Sequence, residues 1–211
     1  MPKYTDIWDV DDVLRSIQNL PIPLSMKQLT FKTAMLLSLI AIPRGAEITM
    51  LHVDRMGLSR TKCTFALKGL RKNKKLGKKT PELEIDYYKQ DARLCPVTSV
   101  REYCDATKSY RVDNNETTLF LGLKKPHLGV CKSTTARWVK EVLHWSGIDT
   151  KIYQAHSVRA ASTSKVRMKG LSVDDVLKRG NWSQESTWQR FYNKDIKSAS
   201  LKYQEKLLGG L

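Results

Sequence analysis

The sequence predicts a mainly α fold with a small antiparallel β-sheet, an α+β arrangement, and three observations carry that expectation. Apolar residues recur at helical spacing over residues 24–42 and again over 133–147. Between residues 48 and 85 the pattern changes to short alternating runs broken by Gly57, Gly69 and Gly77. From residue 156 onward, helix-length segments are separated by glycines or polar caps. At 211 residues and 41% hydrophobic content, the chain can bury a substantial core within one domain.

Taken in order, Trp8, Val10, Val13, Leu14 and Ile17 predict a short leading helix before the turn at Pro21 and Pro23. Ser25 is placed to cap a buried helix that carries Ala34, Met35, Leu36, Leu37, Leu39 and Ile40 and stops before Pro43. Strands are expected at 50–53, 64–67 and 83–85. A helix with Pro96 in its first turn follows and runs to about Tyr110. Residues 113–116 read as polar loop, and 119–121 as a short strand or buried turn. Ser133 can cap a helix with Trp138, Val139, Val142, Leu143 and Trp145 facing inward, closed by Gly147. Helices at 156–170, 172–180, 184–193 and about 196–208 complete the chain.

The charge narrows the partner. Lysine and arginine number 37 against 21 aspartates and glutamates, a formal charge of +16 and a pI near 9.8. Clustered cations gain free energy by displacing counterions condensed on phosphates, so a nucleic acid is expected. The longest apolar stretch, 34–42, is too short to span a bilayer, and no membrane partner is expected. Cys63, Cys95, Cys104 and Cys131 form no CxxC pair, as in a reduced intracellular protein. His52, His127, His144 and His156 lack metal-ligand spacing, so no metal site is expected.

A few polar residues, in order, suit attack on a phosphodiester. His156 and Arg159 stand three apart, on one face of a helix and within reach of one phosphate. Without further context the same spacing also describes two solvated side chains at a helix start. Arg44 follows the buried helix, where it would either cap helix carbonyls or join Arg159 in a two-guanidinium fork around phosphate oxygens, with Glu47 orienting it. Tyr192 sits in an aromatic run after Trp182, which reads either as packing or as a nucleophile supplied with neighbouring cations. Between Thr61 and Thr80 lie eight basic residues and no acidic one, densest at Arg71, Lys72, Lys74, Lys75, Lys78 and Lys79. A solvated hairpin tip, a nuclear import signal and a DNA contact all fit this run.

Together, Arg44 with Glu47, the basic segment after a strand, His156 with Arg159, Gly180-Asn181-Trp182 and Tyr192 resemble the tyrosine recombinase (phage integrase) catalytic domain. The likeness covers roughly residues 25–195, with 1–24 a lead-in and 196–211 a terminal helix or tail. The runs 93–97, 151–162 and 181–187 most resemble the recombinases of DIRS-type retrotransposons. The resemblance implies the tyrosine recombinase catalytic-domain fold and breakage and rejoining of double-stranded DNA through a 3′-phosphotyrosyl intermediate, without metal or other cofactor. It makes Arg44 and Arg159 the phosphate-binding arginines, His156 the acid–base group, Trp182 an indole donor and Tyr192 the nucleophile. Lys72, with Lys74 as the alternative, would be the general acid, and Arg71, Lys74, Lys75, Lys78 and Lys79 would contact DNA. Tyr192 stands one residue farther from Trp182 than in many members, which would put Phe191 in the nucleophile's place unless the helix is shifted. The residues before Arg44 are too few for the helical domain that usually clamps the opposite DNA face. A homo-tetramer on DNA and a nuclear location are also implied. Type IB topoisomerase-like relaxation and a noncatalytic DNA-binding module derived from a mobile element are the alternatives.

Overall fold

The structure is a computed structural model that describes residues 3–42, 47–66 and 82–197. Its centre is the expected buried helix, here α2 (Met26–Ala41), opened by a capping box in which Ser25 and Gln28 satisfy each other's backbone N–H groups. The helix is apolar nearly all round, and Ala34, Met35, Leu36 and Leu37 are almost fully buried. It can be so only because α3 (Pro96–Ala106), α5 (Lys132–Trp145) and α6 (Ser157–Met168) pack around it. Between α2 and α3, Thr33 and Ser99 pair their buried hydroxyls at 2.8 Å.

The small antiparallel sheet is present, in the order β2–β3–β4, from Met56–Leu58, Lys62–Ala66 and Glu82–Asp86. Cys63 and Phe65 alternate inward along β3, opposite Ile85 and Leu83 of β4. The first expected strand, at 50–53, is not formed. Met50 and Val53 belong to two 3₁₀ turns, Glu47–Met50 and Val53–Arg55, and between them His52 makes a lone bridge to Thr118. Residues 119–121 form a buried turn region, fixed where the Leu121 N–H donates to the Tyr103 hydroxyl at 3.0 Å.

Three helices depart from their expected limits. The helix after Pro96 breaks at Thr107, and α4 (Lys108–Asn114) takes over part of the expected 113–116 loop. The helix expected to start at Ser133 is capped earlier, at Cys131, and Trp145 near its end is partly exposed, stacked on Phe31 at 5.2 Å between centroids. Ile196, expected in a helix, lies in a strand. That strand, β5 (Asp195–Ile196), pairs in parallel with β1 (Asp6–Ile7) at the start of the chain. The leading helix α1 (Val10–Gln18) follows β1, with Asp9 as its cap. The lead-in residues therefore share one core with α5 and α6, through Ile7, Trp8, Val10, Val13 and Ile17. Between α6 and β5 lie α7 (Val173–Gly180) and α8 (Glu185–Phe191).

Candidate active site

Helix α6 carries the centre of the site. From Ser157 to Lys165 it is buried, and its small residues Ala160, Ala161 and Ser162 allow α2 close enough for the Ser162 hydroxyl to donate to the Leu39 carbonyl at 2.7 Å. That burial takes Arg159 down to 8% exposure. Its guanidinium is held by two carbonyls, donating from Nη1 to Ile42 at 2.7 Å and from Nη2 to Gly180. Both carbonyls sit at the C-terminal ends of helices, α2 and α7, where carbonyls lack intrahelical donors and carry partial negative charge. Two separate helix ends thus aim one arginine, and Ile42 lies two residues before Arg44.

The face of that guanidinium is covered by Trp182, 3.9 Å from the ring centroid, and Tyr192 lies 5.4 Å away on the same group. The two rings are 4.9 Å apart. Asn181, in the left-handed conformation, turns the chain after α7 and lets the Trp182 backbone N–H close on the Leu177 carbonyl. Gly180 is required here because a Cβ would stand 1.6 Å from a Trp182 ring carbon. Arg179 ties the same helix to the Ile40 carbonyl of α2 and the Glu84 carbonyl of β4.

Tyr192 ends α8, and its carbonyl accepts from the Ser164 hydroxyl of α6 at 3.0 Å. The Lys194 N–H donates to that hydroxyl at 2.9 Å. One turn of α6 therefore fixes the backbone of Tyr192 while the previous turn presents Arg159 to its ring. Phe191 is exposed and does not line the cleft, whereas Tyr192 is half-buried against the core. The extra residue between Trp182 and the tyrosine does not place Phe191 at the site.

His156 begins α6 and stacks on Tyr4, whose hydroxyl is hydrogen-bonded to Nε2 at 2.8 Å. Partial burial of the ring, and then the charge of Lys3, draws its pKa below the usual imidazole value. His156, Arg159 and Tyr192 open on one cleft of about 640 Å³, which α5 borders with Lys132, Arg137 and Lys140. No carboxylate lines it among the described residues. Sequence reasoning passed over these three cations and Tyr4. Arg137 and Lys140 stand at helical spacing opposite the Trp138–Val142 core face, a signal present in the sequence, whereas Lys132 lies in the first turn of the helix.

No protein-family model matches the chain, and no curated protein matches it. Solved structures do. XerH site-specific recombinase bound to its difH substrate superposes with a TM-score of 0.66 at 15% identity, over 99% of this chain and 55% of that one. XerA recombinase gives 0.63 at 16%, over 97% and 66%. The Tn1549 transposon integrase, bound to transposon right end DNA, gives 0.56 at 14%, over 100% and 67%. The fold is that of the tyrosine recombinase catalytic domain. The chain spans about half to two-thirds of the length of these proteins.

Of the residues singled out from sequence, this tyrosine recombinase fold brings His156, Arg159, Trp182 and Tyr192 to one place. Arg44, Arg71, Lys72, Lys74, Lys75, Lys78 and Lys79 lie outside the described residues. Among the described residues no group of histidine, cysteine and carboxylate side chains could hold a metal ion, and no helix is long and apolar enough to cross a membrane.

Proposed function

We propose that this chain breaks and rejoins double-stranded DNA as a tyrosine recombinase, with Tyr192 as nucleophile. The observation that carries the reading is the Arg159 guanidinium, aimed by the Ile42 and Gly180 carbonyls and covered by Trp182 and Tyr192 at the edge of a cationic cleft. The Tyr192 oxygen attacks the phosphorus, a 3′-phosphotyrosine bond forms, and the bond from phosphorus to the 5′ oxygen breaks. The proton lost by Tyr192 balances the one gained by the departing 5′-hydroxyl, which Lys72 delivers. Arg44 and Arg159 neutralise the phosphoryl oxygens as charge builds on them, and the Trp182 indole donates beside them. His156 stands beside the phosphate, in the place where the family resemblance implies an acid–base group. The covalent link conserves the phosphodiester energy, so a second 5′-hydroxyl can reverse the step and rejoin the strand.

On this reading the basic run between Thr61 and Thr80 serves the same reaction, and its lysines track phosphates. Exchange between two duplexes needs four tyrosines, hence a tetramer of this chain on DNA. The sequence likeness to DIRS-type elements supports a location in a eukaryotic nucleus. Incubation with nicked suicide duplexes tests the chemistry. A denaturation-resistant protein–DNA adduct is expected from the parent and none from Tyr192→Phe. Salt-sensitive binding without any adduct would instead identify a noncatalytic DNA-binding module.

A further inference from the structure

The opening residues of the chain reach the site from the opposite end of the sequence. Strand β1 pairs with β5 only three residues after Tyr192, and the Trp8 indole donates to the buried Ser157 hydroxyl at 2.8 Å. Between these anchors and the chain start, Tyr4 is 7% exposed and lies against Tyr153 as well as His156. Its oxygen accepts the Gln154 N–H at 3.3 Å and stands 2.8 Å from His156 Nε2.

We infer that Tyr4 is a positioning residue for His156: it donates its phenolic proton to Nε2, fixes the imidazole in the Nδ1–H form, and makes His156 a hydrogen-bond donor to the phosphoryl oxygen. The Gln154 N–H can only donate, so the Tyr4 oxygen accepts there, and His156 Nε2 at 2.8 Å is the acceptor that the structure offers the Tyr4 proton among the described residues. A ring nitrogen that accepts leaves the proton of a neutral imidazole on the other nitrogen. Partial burial, and then the charge of Lys3, favour the neutral ring, and among the described residues the charged side chains lining the cleft, Lys132, Arg137, Lys140 and Arg159, are cations. A neutral Nδ1–H ring whose Nε2 is occupied holds no lone pair for the Tyr192 proton. That proton leaves to water in the cleft, and His156 joins the arginines in stabilising charge on the phosphate. This assignment rests on the recombinase reading only for what the donor meets; the tautomer itself does not depend on DNA.

The test has two arms on the full chain. Two-bond proton–nitrogen NMR of histidine-labelled protein reads which ring nitrogen carries hydrogen, with His156→Gln identifying the resonance. The parent is expected in the Nδ1–H form and Tyr4→Phe, which keeps the ring packing, predominantly in the Nε2–H form; the same tautomer in both overturns the inference. In the second arm, single-turnover adduct formation on suicide duplexes is expected to slow about tenfold in Tyr4→Phe, the fold-change of one hydrogen bond. Tyr4→Phe added to His156→Gln should slow it no further. An equal loss on both backgrounds would show Tyr4 acting on the fold and not through His156. Absence of adduct in the parent would sink the recombinase reading while the NMR arm still decides Tyr4.

Discussion

Gly180 serves the Arg159 side chain twice. Its carbonyl takes one guanidinium donor, and its missing side chain is the space in which Trp182 lies over the same guanidinium. Gly180→Ala should therefore lift Trp182 off Arg159. Overpacking of this kind costs about 1–3 kcal/mol, and urea unfolding should show it. Adduct formation should fall at least tenfold beyond what the loss of folded protein explains, and unchanged unfolding would mean that Trp182 finds another seat. The HxxR spacing, the late tryptophan and the tyrosine were legible because each is a residue type in a local pattern. The carbonyls that aim Arg159 were not, since any residue supplies a carbonyl and only the fold decides whose end faces inward. Tyr4 escaped for a related reason: 152 positions separate it from His156, and nothing in its neighbours marks a ligand for an imidazole.

At the scale of elements, α6 does two jobs, and its second half holds the lead-in residues in place. Lys165, 8% exposed, bonds Asp9 at 2.9 Å and Asp11 at 2.6 Å, joining α6 to the start of α1. Burial works against the lysine charge, but the Asp11 and Asp9 carboxylates overcome it and raise the pKa above the ordinary lysine value. A raised pKa fixes the sign: the contribution is fully present below the unfolded lysine value of about 10.4 and is lost as pH climbs through the higher folded value. Lys165→Met removes the ammonium from a buried carboxylate, a change that typically costs about 3–5 kcal/mol. Trypsin should then cut at Lys3 or Arg15 well before the core, and loss of stability without early cleavage there would show that α1 stays docked by its apolar face alone. The long helices were readable from apolar spacing and caps, Ser25 most clearly. Strands β1 and β5 were not, because two residues carry no period, and their parallel pairing joins the two ends of the described chain. The strand expected at 50–53 failed because its alternating residues lie in a corner beside Thr117 and Thr118 and pair with no extended neighbour beyond one bridge.

The whole molecule carries a formal charge of +16, and the fold leaves part of it where it can act. Several carboxylates are spent internally: Asp9 and Asp11 on Lys165, Glu84 on Lys62, and Glu116 on the backbone N–H groups of Thr118 and Gly129. The α5 wall of the cleft keeps Lys132 and Arg137 exposed and Lys140 half-buried, with no carboxylate in the lining among the described residues. A cationic wall facing a phosphate backbone binds by releasing counterions, so affinity must fall as salt rises, with a slope of about 0.9 per neutralised phosphate. Lys132→Ala, Arg137→Ala and Lys140→Ala combined should flatten the plot of log affinity against log salt by about 0.9 for each phosphate left without its cation. The weakening should be the same for every duplex sequence, because cations on phosphates carry no base information. Substitutions at the protein surface change stability by about 0.5 kcal/mol or less each, so a matched thermal melt separates weakened binding from damage to the fold. An unchanged slope in the triple variant would put the DNA on another face and take the Arg159 cleft out of the reaction.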